Sequence, residues 1–229
     1  MRNQGIRRLL AAGLCSLALS TTTVDQATAQ ESFWGGSDHV PSLVITPGKI
    51  EIDVPMPVSG DMQLMLAMAG NGGGLAELKQ KAVRNYTQHI HSEFARVLYE
   101  YLEDEEVPLV KENGLLNLEN NIQIKVIKHL NSMKPAKNHD TEKGHVALSG
   151  EFRFTLAGRN GNTLREQRVD IGKLKITEKY RVRSYLDGRA TEDNTQEAIE
   201  SALTEMVEEL VERMEDHLEA DALSDLVSV

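Results

Sequence analysis

Ile50, Ile52 and Val54 alternate with Glu51 and Asp53, the period of a half-buried strand, and Pro55 and Pro57 end the run. Residues 61–69, DMQLMLAMA, alternate too, but fit a short helix equally well. Past a cluster of glycines the pattern changes. Leu75, Leu78, Ala82, Tyr86, Ile90, Phe94, Val97, Leu98 and Tyr101 recur at steps of three and four. That stripe predicts about thirty residues of amphipathic helix, stopped by EDEE at 103–106 and by Pro108.

Strand periodicity then returns. Ile122, Ile124 and Val126 alternate with Gln123 and Lys125, and a polar loop is expected over 134–144. Val146, Leu148, Gly150, Phe152, Phe154 and Leu156 alternate cleanly up to Asn160-Gly161, the dipeptide of a type I′ hairpin turn. A return strand over Leu164–Ile171 follows, and then one more through Leu174, Ile176, Tyr180 and Val182. The last element is a helix from Asn194, read as its cap with Glu197 in the capping-box position, to about residue 220. Ile199, Leu203, Met206, Val207, Leu210, Val211, Met214 and Leu218 form its apolar stripe. The expected fold is α+β: a small, mainly antiparallel sheet of four to five strands with two long amphipathic helices on one face. The other face is left to solvent or a partner.

The N-terminus reads as an address. Arg2, Arg7 and Arg8 precede an apolar run from Leu9 to Leu19, and Ala27-Thr28-Ala29 is a small-x-small cleavage site. A cleavable signal peptide over 1–29, a flexible tether over 30–48 with Val44-Ile45 as a short extended piece, and a single domain over 49–229 are expected, in the periplasm. Arg7-Arg8 lacks the flanks of a twin-arginine signal. Lipidation of Cys15 is disfavoured by Leu14, which stands where Gly, Ala or Ser is needed. Cys15 is the only cysteine, so the exported chain relies on its hydrophobic core. No later run predicts a membrane-spanning helix.

Charge is unevenly placed. Residues 121–189 carry 15 Lys+Arg against 7 Asp+Glu, whereas residues 190–229 carry 1 against 13. Either the acidic helix packs beside a basic sheet and the fields cancel, or the strands present a basic face to an anionic partner. Arg153, Arg165, Lys173, Lys175 and Arg181 lie out of phase with the apolar strand positions and are the candidates for such a face.

The glycines do not make a nucleotide site. Gly74 is followed by Leu75 and Ala76 where a phosphate loop needs Lys and Ser or Thr, and Leu75 breaks a dinucleotide fingerprint. Gly70, Gly72, Gly73 and Gly74 are read as a hinge. Met62, Met65 and Met68 before them form a soft surface for a partner, unless they are ordinary core. His89 and His91 point apart on a helix, and His139 and His145 have no diagnostic ligand spacing. No G-x-S-x-G, HExxH or exported Cys nucleophile is present.

HVALSGEFRFTLAGRNGNTLREQRV followed by QEAIESALTEMVEELVERM, with FARVLYEYLEDEEVPLVKE before them, resembles small bacterial envelope proteins. These are the curli-secretion lipoproteins, the penicillin-binding-protein activator lipoproteins and the N-terminal domain of the translocation protein TolB. The resemblance, over about residues 75–220, implies helices on one face of a small sheet and a role in assembling or regulating envelope machines. It brings no catalytic residues. The expectation is a non-enzymatic periplasmic accessory factor acting by protein–protein contact, without cofactor, metal or nucleic acid. The alternatives are a module for an anionic envelope ligand, lipopolysaccharide or a phosphorylated glycan, and a hydrolase of unknown substrate.

Overall fold

Two strands of twenty residues form the spine of the molecule: β3, Leu116–Pro135, and β4, His139–Gly158, paired antiparallel along their whole length. The computed structural model describes residues 40–56 and 72–228, all within one unit, Asp38–Val229. The leader over 1–29, Met62, Met65, Met68 and Gly70 lie outside the described residues.

Each edge of this long ribbon is covered by two short strands in succession. Along β3 run β1, Leu43–Thr46, and β2, Ile50–Asp53, both parallel to it. Along β4 run β5, Thr163–Asp170, and β6, Thr177–Tyr185, both antiparallel, with a 3-10 turn at Ile171–Leu174 between them. A two-residue strand β7, Glu192–Asp193, adds to β6. The sheet therefore has seven strands, more than the expected four or five, and the two parallel pairings were not legible in local periodicity.

Helix α1, Gly72–Asp104, and helix α2, Thr195–Glu212, lie side by side on one sheet face. Tyr86, Ile90, Phe94 and Leu98 of α1 and Ile199, Leu203, Met206 and Leu210 of α2 are buried against Leu118, Ile122, Val126, Phe152 and Phe154. Phe94 stacks on Phe152 with ring centroids 5.8 Å apart. His89 Nε2 contacts Thr204 Oγ1 at 3.0 Å, tying the helices together. Helix α1 stops where the acidic run predicts. Glu106 takes a left-handed φ of 55°, and Val107 N–H donates to Leu102 O at 2.9 Å, a Schellman closure.

Several expectations are corrected. The segment 43–46, assigned to the tether, is a sheet strand. Leu43 is fully buried, its N–H donates to Pro108 O, and Val110 N–H donates to Leu43 O. The polar loop expected over 134–144 is mostly strand, turning only at 136–138; backbone pairing to β3 and β6 sustains it without an apolar period. Gly72, Gly73 and Gly74, read as part of a hinge, form the first turn of α1.

At Asn160-Gly161 the hairpin exists, but only Gly161 has positive φ, 76°. Gly161 N–H donates to Gly158 O and Gly158 N–H donates to Asn162 O, so a one-residue irregularity replaces the two-residue type I′ turn. Asn194 does not cap α2 through its side chain. Its Oδ1 accepts from Arg181 N–H at 2.6 Å, and Asp193 Oδ1 accepts from Thr195 N–H at 2.8 Å instead. The single helix expected to 220 breaks after Glu212 into α3, Glu215–Leu218, and α4, Ala220–Val227.

Candidate docking face

The sheet face away from the helices is polar, and its charge changes along its length. In the half beside β5, Arg153 stands opposite Arg168. Acids balance them: Arg168 pairs with Glu166 at 3.0 Å and with Glu151 at 3.9 Å. Lys49 pairs with Glu51, and Lys79 with Asp53.

The half beside β6 is different. Cross-strand register places His129, His145 and Lys179 in one row and Ser132, Lys143 and Arg181 in the next. Lys134, Thr141 and Arg183 make a third row. Residues opposite each other share a face, so all these side chains leave the sheet on the side opposite buried Val146, Tyr180 and Val182. The His129 and His145 rings stack at 4.8 Å, and His145 Nδ1 contacts Asn131 Oδ1 at 3.0 Å. Arg183 pairs with Glu192 at 3.2 Å. Among the described residues, no acid lies within ion-pair distance of Lys134, Lys143, Lys179 or Arg181.

Of the five cations singled out from the sequence, only Arg181 belongs to this half and to its unpaired cluster. Arg153 is on the same face but in the mixed-charge half. Lys173 and Lys175 sit at the 3-10 turn on the β5–β6 edge; Lys173 lies 3.9 Å from Asp170, and Lys175 has a left-handed φ of 59°. Arg165 is on the other face altogether. The irregularity between Leu156 and Ala157 shifts β5, so Arg165 stands opposite Leu156 and its Nη1 meets His217 Nδ1 at 2.7 Å beside α3. Lys134 and Lys143 were missed because 134–144 was read as loop; His129 and Lys179 were not singled out, and His145 was weighed only as a metal ligand. Their signal is the alternation Lys143-x-His145 and Lys179-x-Arg181, out of phase with Val146 and Tyr180.

On the helix side, below the end of β3, Lys128 Nζ pairs with Glu142 Oε1 at 2.9 Å and lies 4.3 Å from the centre of the Tyr180 ring. Tyr180 OH donates to Glu142 Oε1 at 2.8 Å. Burial alone would raise the Glu142 carboxyl, but the bonds from Lys128 and Tyr180 together hold it below its ordinary range. Burial, then the same Glu142 bond, pushes the Tyr180 hydroxyl up. Nearby, a cleft of about 400 Å³ opens between Met56, Leu78, Tyr86, Lys128 and the start of α2. Burial and then Glu200, Asp193 and Glu197 raise the Tyr86 hydroxyl to about 12. The lining of the cleft brings Lys81 and Lys128 together with Asp193. Among the described residues, no three His, Cys, Asp or Glu side chains converge as metal ligands.

No protein-family model matches the chain, and no curated protein matches it. Among solved structures it is similar to a putative neuraminyllactose-binding hemagglutinin homolog from Helicobacter pylori: 12% identity over 86% of this chain and 96% of that one, TM-score 0.45. It is also similar to a minor lipoprotein from Acinetobacter baumannii, with 14% identity over 80% of this chain and 93% of that one, TM-score 0.31. At these values neither likeness carries a ligand or an activity over to this chain.

Proposed function

We propose that the protein is a non-enzymatic accessory factor of the cell envelope that docks an acidic protein partner on the uncovered sheet face between β3, β4 and β6. The observation that carries this reading is the cluster of Lys134, Lys143, Lys179 and Arg181 on one sheet face, with no described acid in ion-pair reach of any of them. Like charges directly opposite in a sheet are unfavourable. The remedy was at hand, because the neighbouring half of the same face interleaves acids with its arginines. A face on which Lys134, Lys143, Lys179 and Arg181 have no acid in ion-pair reach suits a partner that brings the anions.

The leader over 1–29 supports an exported location. Helices α1 and α2 cover the opposite face, and among the described residues no helix covers the docking face. No helix among the described residues is long and apolar enough to cross a membrane.

The test is crosslinked capture from the native cell at graded salt, with the parent chain and with Lys143→Glu/Lys179→Glu/Arg181→Glu. An acidic partner is captured by the parent, is released as salt screens the contact, and is lost in the variant. Capture that survives both salt and charge reversal overturns the reading.

A further inference from the structure

The free end of the long ribbon carries an apolar cluster that the core does not use. Leu130 is 59% exposed, Met133 64% and Leu186 68%. They are spread along the ribbon toward the turn at 136–138: Leu130 stands opposite Gly144, Met133 opposite Glu142, and Leu186, just past β6, donates its N–H to Asn138 O at 3.1 Å. Residues three apart on a regular strand point to opposite faces. Leu130 and Met133 nonetheless share one, because the register slips between Leu130 and Ser132, leaving Asn131 as the extra residue. Leu130 stands opposite Gly144 and Met133 opposite Glu142, both on the helix-bearing side, beyond the reach of the helices.

The same end is rich in cations, and among the described residues its acids are paired except Asp140, which shares a side with Met133. Lys134 and Lys137 flank the turn and are exposed. Glu142 is held by Lys128 and Tyr180. Asp187 is held by Arg189, whose guanidinium also covers the Tyr185 ring at 4.0 Å. Lys143 and Arg181 follow on the other face.

We infer that the end of the β3–β4 ribbon is an interfacial anchor that inserts Leu130, Met133 and Leu186 into a bilayer surface containing anionic lipid, with Lys134 and Lys137 at the headgroups. The occupant follows from exposure and charge. Leu130, Met133 and Leu186 are exposed apolar side chains at an end that also exposes Lys134 and Lys137, the combination an anionic bilayer surface matches. Peripheral attachment needs two signals, buried apolar area and attraction to anionic headgroups, and both are present on this end of the ribbon. The Asn131 bulge is the device that gathers the apolar pair on one side. This inference shares Lys134 with the acidic-partner reading, which otherwise rests on Lys143, Lys179 and Arg181, so a charge reversal that leaves Lys134 in place separates the two.

Co-sedimentation of the protein, purified from the exporting cell, with vesicles of phosphatidylglycerol and phosphatidylethanolamine tests it against vesicles of phosphatidylcholine. The parent pellets with the anionic vesicles, and Leu130→Ser/Met133→Ser/Leu186→Ser loses at least tenfold in partition at an unchanged melting midpoint. Lys134→Ala/Lys137→Ala weakens binding and flattens its salt dependence. Should the triple variant melt early, Met133→Ser alone serves, with an expected loss of about threefold. A parent that pellets equally with and without anionic vesicles, or a serine variant that binds like the parent, overturns the inference. Lys143→Glu/Lys179→Glu/Arg181→Glu retains measurable vesicle binding even where partner capture fails, so the two readings fail separately.

Discussion

Lys143 and Arg181 face each other across β4 and β6 on the uncovered side of the sheet, with no described acid in ion-pair reach of either. Directly opposed like charges cost a sheet about 0.2–1 kcal/mol relative to a neutral pair. Lys143→Glu turns that repulsion into attraction. The variant is expected to melt higher than the parent in low salt, by the equivalent of about 1 kcal/mol or less. Partner capture falls at the same time. Thermal melts and pull-downs on one preparation check both, and a variant neither more stable nor weaker in capture removes the case for a functional cation pair.

Leu43 tests whether the early forties are tether or fold. It is fully buried between the Leu109 segment and β3. Leu43→Ala is expected to cost about 2–5 kcal/mol, the range for a buried leucine. Denaturant titration reads it directly. A tether residue would show no change.

Gly150 has φ of 140°, and a side-chain carbon there would overlap the Gln123 carbonyl oxygen of β3. Gly150→Ala therefore combines an unfavourable backbone with a steric clash. The expected loss is about 2 kcal/mol or more. Gly161 also has positive φ but has open space around it, so Gly161→Asn is expected to be mild and Gly161→Val to cost roughly 1 kcal/mol. Equal midpoints for Gly150→Ala and Gly161→Asn would contradict the close approach at Gly150.

Glu106 is an exposed residue in the left-handed position that closes α1. Glycine has no penalty there. Glu106→Gly is expected to stabilise the fold by about 1 kcal/mol, read as a raised melting midpoint.

The acidic side of α2 gives a pH dependence. Burial, with Glu178, Glu209 and Glu208 nearby, raises the Glu205 carboxyl above its ordinary 4.5. A raised carboxyl favours the folded state fully only below the unfolded value. That contribution is lost as pH rises through the folded value, leaving a penalty at neutral pH. Glu205→Gln is expected to raise the midpoint at pH 7 by about 0.5 kcal/mol or less in stability, and to make no difference below the unfolded carboxyl range. Melting curves at several pH values decide it; a gain that grows toward acid would reverse the sign.

Local periodicity determined much of this protein. The stripe from Tyr86 to Leu98, the alternation from Val146 to Leu156 and the stripe from Ile199 to Leu210 each bury one face, and together they dictate helices on one side of a sheet. Burial repeats with the period of the element, so it is written in the sequence. Pairing is not. The parallel placement of Leu43–Thr46 beside β3 depends on residues more than seventy positions away. The strands through 134–144 are held by backbone bonds that leave no apolar trace. A one-residue slip also reverses every side chain beyond it. Such a slip in the β4–β5 pairing sent Arg165 to the helix side. Another, at Asn131, brought Leu130 and Met133 together. The sequence alone therefore announced a basic middle and an acidic end, while register in the folded sheet decided which cations share a face and which apolar side chains stand clear at its tip.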